Sequence, residues 1–348
     1  MKAAVLNGIK DLEIKEIPRP TPSNHQILIK VRACTICGTD IKVYHHGHKH
    51  IRFPRVIGHE IAGEIVEVGS KVQGYRVGEK VAVAPAIPCG KCFYCRRGMQ
   101  SMCANLKAIG YHYDGGFAEF MLVPENAIHN GCVNYIPQNL SFEEAALAEP
   151  LACAINGQEL SKIGMGDVVV VIGAGPLGCI HMQLARAKGA IKVILVELSP
   201  ERIQFAKETI PPDVIINPSQ EDAIKRIKEE TEGRGADKVI VACGNGRAQE
   251  ESLHMVRARG IVNFFGGLPK DKPFIKFNSN LVHYGEFYVV GTHGSAPRHN
   301  KLALNLISQG KIRVKRLITH RLPLEKLREG LRLAENSKAM KVLISEVS

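Results

Sequence analysis

At 348 residues the chain exceeds the size at which one hydrophobic core keeps growing, so two domains are expected. Its 45% hydrophobic content suits a globular protein, and it shows neither a charged-then-apolar N-terminal signal nor an apolar run of about 18 residues, so a soluble, cytoplasmic, non-membrane protein is expected. Ten cysteines without such a signal read as metal ligands and buried thiols rather than disulfides, and the net charge of +12, scattered among glutamates with no arginine-rich arm, favours small anionic ligands over nucleic acid.

Residues 1 to about 135 are rich in valine, isoleucine, glycine and proline, and alternating runs at 25–33, 60–69 and 79–85 predict strands of a β-rich lobe. Between the first two lies RACTICGTDIKVYHHGHKH, holding Cys34, Cys37 and the histidines 45, 46, 48 and 50. Cys34 falls in the strand pattern and reads as a small buried thiol. The histidines, interleaved with Gly47 and Lys49, read as an exposed loop, with His46 the one nearest Tyr44. Further on, Cys89, Cys92, Cys95 and Cys103 are spaced C-x2-C-x2-C-x7-C. Four thiolates wrap a tetrahedral ion, and zinc held this way is a closed, structural site. An iron–sulfur cluster is the alternative, but such runs usually carry a proline after the last cysteine, where this chain has Ala104.

From about residue 160 the pattern changes. Apolar runs at 166–173, 192–198, 213–218, 236–243 and 260–266 alternate with amphipathic stretches, and FYVVGT at 287–292 adds a further strand. Repeated strand–helix units predict a doubly wound parallel sheet. The tail carries two amphipathic helices and a short last strand, KVLIS.

VVVVIGAGPLG places Gly173, Gly175 and Gly178 directly after the first of these strands, with Pro176 and Leu177 opening a helix. The first glycine permits the tight turn, the second a close approach of a pyrophosphate and the third helix–strand packing. The next strand ends in Glu197, nineteen residues after Gly178, where a carboxylate accepts bonds from ribose hydroxyls and repels a 2′-phosphate. NAD is therefore expected over NADP. Arg202 argues the other way if it holds that phosphate, and stacks on adenine if it does not.

ICGTD (36–40), VIGHEIAGEIVEVG (56–69), the four-cysteine lobe, GGFAEF (115–120), LAEPLAC (147–153) and VIGAGPLG (171–178) together resemble, in order and spacing over essentially the whole chain, the zinc-dependent medium-chain alcohol dehydrogenases. The likeness is strongest to the polyol branch of sorbitol and butanediol dehydrogenases, with L-threonine 3-dehydrogenase a close relative. It implies an α/β fold: a GroES-like catalytic domain at 1–150 with a structural zinc lobe at about 85–105, a Rossmann domain at 151–287, and a segment 288–348 returning to the catalytic domain. It also implies a second, catalytic zinc in the cleft between domains, held by Cys37, His59 and a carboxylate. Glu149 matches the polyol-branch glutamate, and Glu60 the neighbour that binds directly or through water. Asp40 matches the carboxylate that orients the ligating histidine. Thr39 would pass on the substrate proton while hydride leaves for the nicotinamide, which Phe265, Gly266, Gly267, Gly291, Thr292 and His293 would flank. Tyr44 and His46 would face substrate, and a dimer or tetramer would form through the edge strand near FYVVGT.

The chain departs from the family pattern at several positions. Lys42 stands where a relay histidine is usual, and Val43 where sorbitol dehydrogenases carry a tyrosine, one place before Tyr44. Gly294 and Ser295 replace an arginine–tyrosine pair. The leading expectation is NAD-dependent oxidation of a secondary alcohol. L-threonine oxidation, and more remotely a zinc-ribbon nucleic-acid binder that senses NAD, are the alternatives.

Overall fold

The computed structural model describes residues 1–345, and these form two compact units, one of residues 1–152 with the chain from 294 onward, the other of residues 153–293. The unit boundary expected at 287/288 lies at 293/294. The reason is that Tyr288–Gly291 pairs in parallel with Val256–Phe264 and so belongs to the second unit's sheet.

The first unit is built on a seven-stranded sheet around Ile27–Thr35, which pairs antiparallel with Glu60–Val68, Phe120–Val123 and the last strand, Lys341–Ser345. Ile27–Thr35 is buried along nearly its whole length, which explains its near-continuous apolar sequence. Ile27, Ile29, Ile61, Ile65 and Phe117 are among the side chains of the core beneath it. Two pairings set up the site. Thr35 stands opposite Glu60, and Leu343 opposite Thr35, so the C-terminal strand brings Lys341 to the same corner.

Gly58 makes that corner possible. It holds φ +94, and a Cβ there would stand 2.9 Å from the Phe117 ring and 3.0 Å from the Cys34 sulfur. Gly116 donates its N–H to the Gly58 carbonyl at 2.9 Å, locking the two glycine segments together. Cys34 is buried as expected.

The second unit is a six-stranded parallel sheet. In space the strands run Val214–Ile216, Lys192–Val196, Val168–Ile172, Ala236–Val241, Val256–Phe264 and Tyr288–Gly291. Numbered along the chain this is 3-2-1-4-5-6, the doubly wound dinucleotide-binding order. Val256–Arg259, which the sequence pattern assigns to the preceding helix, begins the fifth strand instead, because the helix stops at Met255. Among the described residues no helix is long and apolar enough to cross a membrane.

Candidate active site

In the first unit Cys37 precedes the helix Gly38–His46 and half-exposes its side chain. Asp40, in that helix's first turn, uses both carboxylate oxygens. Oδ2 accepts the Cys37 backbone N–H at 2.9 Å, and Oδ1 lies 3.1 Å from His59 Nδ1. Nδ1 therefore carries the proton toward Asp40, and Nε2 is left with the lone pair that a metal would need. Burial alone would push the His59 pKa down, but the Asp40 carboxylate and the Cys37 sulfur hold it well above the ordinary 6.5.

Ligand atoms of Cys37, His59 and Glu60 all lie within 4.8 Å of one another. Thiolate, imidazole and carboxylate at this spacing are a zinc donor set, so the residues present fit the metal that the sequence resemblance implies. Glu60 is fully buried, and its carboxylate accepts from the Lys341 ammonium and from the Thr35 hydroxyl. Lys341 Nζ also donates to the Ile36 carbonyl at 3.1 Å. Burial opposes the Lys341 charge, but Glu60 and then Cys37 outweigh it, and the pKa rises above 10.5.

Glu149 is half-buried in the first turn of the helix Ala148–Leu160, where the helix dipole favours a carboxylate. It stands outside the compact group, yet its charge reaches both Lys341 and Tyr111. Burial is the main cause of a raised Tyr111 pKa. His59 opposes it, while Asp40, Cys37 and Glu149 add to it. Thr39 is half-buried in the first turn of the helix after Cys37.

Tyr111 and Lys341 are the residues sequence reading missed. Lys341 carries no motif, and only strand pairing across the chain brings it to Glu60. The signal for Tyr111 was present as the tyrosines and histidine of YHYD, directly before GGFAEF. The expected exposed histidine loop is corrected. The helix runs through His46, which is exposed, while His45 is half-buried against Glu335 at 2.9 Å, and the loop begins only at Gly47. Tyr44 packs on the hydrophobic core and edge-on to His45 at 5.0 Å.

Cys89, Cys92, Cys95 and Cys103 form the second metal-type group. Short 3-10 turns at Cys95–Arg97 and Gln100–Met102 fold the segment back, and the Cys89 N–H donates to the Cys103 sulfur at 3.2 Å. Backbone N–H groups of Cys95 and Ala104 pull the Cys92 thiol down, as a thiolate site requires.

In the second unit Gly173 holds φ +102, and a Cβ on Gly178 would lie 1.8 Å from the Gly173 carbonyl oxygen. Gly175 caps the helix Pro176–Ala187, which leaves its first amides for a pyrophosphate. Glu197 Oε2 accepts from Ala174 N–H at 2.6 Å, and Oε1 from Leu198 and Ser199 at 2.7 and 2.9 Å. Three of about four acceptor positions are thus used, tying the carboxylate to the glycine turn. The Arg202 guanidinium lies 3.9 Å from where a Gly175 Cβ would be. Phe265, Gly266, Gly267, Gly291, Thr292 and His293 follow the fifth and sixth strands, at the same carboxyl edge as Gly173 and Glu197. Asn263, buried in its strand, joins Thr292 Oγ1 at 3.0 Å to the Gly157 carbonyl at 2.9 Å.

Family models for an alcohol dehydrogenase GroES-like domain and a zinc-binding dehydrogenase match residues 23–134 and 176–309. The chain is 32% identical to a sorbitol dehydrogenase of Halalkalibacterium halodurans, with 100% of each covered. The chain belongs to the zinc-type medium-chain alcohol dehydrogenases. The dehydrogenase is also 36% identical to an L-threonine 3-dehydrogenase of Pyrococcus furiosus, covering 95% of its own length and 94% of the relative's. A zinc-binding dehydrogenase structure from Sinorhizobium meliloti 1021 bound to NADP matches it with a TM-score of 0.92 at 32% identity, over 99% and 98% of the two chains. The Rossmann-plus-GroES-like architecture expected for the dehydrogenase is the one found.

Proposed function

We propose that this dehydrogenase oxidises a secondary alcohol of the polyol or sugar-alcohol class to a ketone, with NAD as hydride acceptor. The observation that carries this reading is the Asp40–His59 pair beside Cys37, with a nearby glutamate in the Glu149-Pro150 position of the polyol branch. NAD is favoured because Glu197 is fixed at the glycine turn, where its charge opposes a 2′-phosphate.

Bound zinc supplies a Lewis acid that acidifies an alcohol hydroxyl, and bound nicotinamide supplies the hydride acceptor. The chain's residues do the rest. Cys37 and His59 would hold the metal together with a carboxylate, either Glu60, which Lys341 and Thr35 fix in place, or Glu149, leaving one position for substrate. Asp40 fixes the His59 tautomer. Thr39 takes the hydroxyl proton and hands it outward on the helix face that also carries the exposed Lys42. Gly175 and the helix it caps bind the pyrophosphate, and Glu197 the ribose.

The test is a parallel panel of polyols, cyclitols, simple secondary alcohols and L-threonine with NAD and with NADP. Polyol oxidation with NAD is expected. Activity on L-threonine and none on polyols would replace this reading with the amino-alcohol one.

A further inference from the structure

A buried polar link in the second unit ends at the carboxyl edge of its sheet, where the nucleotide is expected. Asn263 lies in the strand Val256–Phe264 and is fully buried. Its Nδ2 donates to the Gly157 carbonyl at 2.9 Å and to Ser161 Oγ at 2.8 Å, in and just after the helix Ala148–Leu160. Ser161 Oγ in turn donates to the same Gly157 carbonyl at 2.8 Å. Asn263 Oδ1 meets Thr292 Oγ1 at 3.0 Å, just beyond the strand Tyr288–Gly291.

These contacts decide the direction of each proton. A carbonyl only accepts, so the nitrogen of the Asn263 amide must face Gly157 and its oxygen must face Thr292. An amide oxygen has no proton to give, so the Thr292 hydroxyl donates. Its proton is then committed inward, and the lone pairs of Oγ1 are what the half-buried side chain has left to offer. The neighbouring backbone carbonyls are each engaged already. Asn263 accepts from the Phe265 N–H at 3.1 Å, Phe264 from the Thr292 N–H at 3.4 Å, and Gly266 from Gln249 Nε2 at 3.0 Å.

We propose that Thr292 Oγ1, its proton held by Asn263, accepts a hydrogen bond from the carboxamide NH2 of the nicotinamide. The proposal rests on the NAD reading above and deepens it. Thr292 is then the residue that touches the cofactor, and Asn263 is a positioning residue that acts through it. A hydroxyl free to rotate would serve the carboxamide oxygen as readily as its nitrogen. One whose proton is committed discriminates between the two, because the amide oxygen would meet only lone pairs.

The test compares two reduced dinucleotides on the full chain, NADH and its 3-acetylpyridine analogue, in which a methyl ketone replaces the carboxamide and leaves no N–H to give. NADH affinity is read by fluorescence titration and that of the analogue by competition. Intrinsic differences between the two dinucleotides are common to every variant and cancel in the comparison. Relative to the wild type, Thr292→Val should lower the preference for NADH over the analogue about fivefold, the effect of one hydrogen bond. Thr292→Ser keeps the hydroxyl and should keep the preference. Asn263→Ala should lower it as Thr292→Val does, since the freed hydroxyl can donate to the carbonyl that both dinucleotides share. Where Asn263→Ala fails to fold, Thr292→Val decides. A preference unmoved by Thr292→Val or by a folded Asn263→Ala, or lost equally in Thr292→Ser, overturns the proposal while leaving NAD as the cofactor. Failure of the wild type to bind NADH overturns the NAD reading and this proposal with it.

Discussion

Asp40 shows how one side chain serves two jobs at once. It ties the start of a helix to Cys37 and sets the tautomer of His59, so both metal-facing atoms depend on it. Asp40→Ala should lower affinity for the catalytic zinc by about 10–100-fold, read by competition with a chelator, with the four-cysteine site still loaded. An unchanged affinity would remove Asp40 from the site. Lys341 is the complementary case, a charge used for stability. The Lys341→Met variant leaves the Glu60 carboxylate buried without its cation, and should cost about 3–5 kcal/mol in urea unfolding. Adding Glu60→Gln should recover part of that loss. Because folding raises the Lys341 pKa above 10.5, the pair's contribution is complete below that pH and is lost as pH rises through the folded value.

At the scale of elements, the two glycine-dependent turns are the most sharply specified parts of the fold. A Cβ at Gly178 would collide with backbone, not with a movable side chain. Gly178→Ala should therefore abolish NADH binding, measured by fluorescence titration, while the separate first unit keeps its zincs. Retained binding would show that the turn does not carry the nucleotide. The glycine turn was legible in the sequence because strand, turn and helix are contiguous there. So were the buried strands of the second unit, whose apolar runs are long and bounded. The helix Gly38–His46 was hidden because its glycine and histidines look like loop composition, while its start is set by Asp40 bonding back to Cys37. The first four residues of the fifth strand were hidden for the opposite reason, since VRAR continues a helical pattern that Met255 ends.

At the scale of the whole molecule, the order of motifs along the chain disclosed the family and the two-unit plan. What it did not disclose is what long-range pairing creates. The C-terminal strand adds beside Ile27–Thr35 and so delivers Lys341 to Glu60 across 281 positions of sequence. In the same way, two segments distant in sequence set His48 edge-on to Tyr111 and stack His50 on His112. Metal content reads out the molecule's organisation directly. Two zincs per chain are expected, and Cys103→Ser should lose the four-cysteine one and lower thermal stability without removing the Cys37 site. The central claim is that Cys37 holds the metal on which alcohol oxidation depends. The most direct measurement is zinc content, NADH affinity and alcohol turnover of Cys37→Ser beside the wild type. One zinc retained, NADH binding preserved and turnover lost is the predicted result; turnover that survives with one zinc would contradict it.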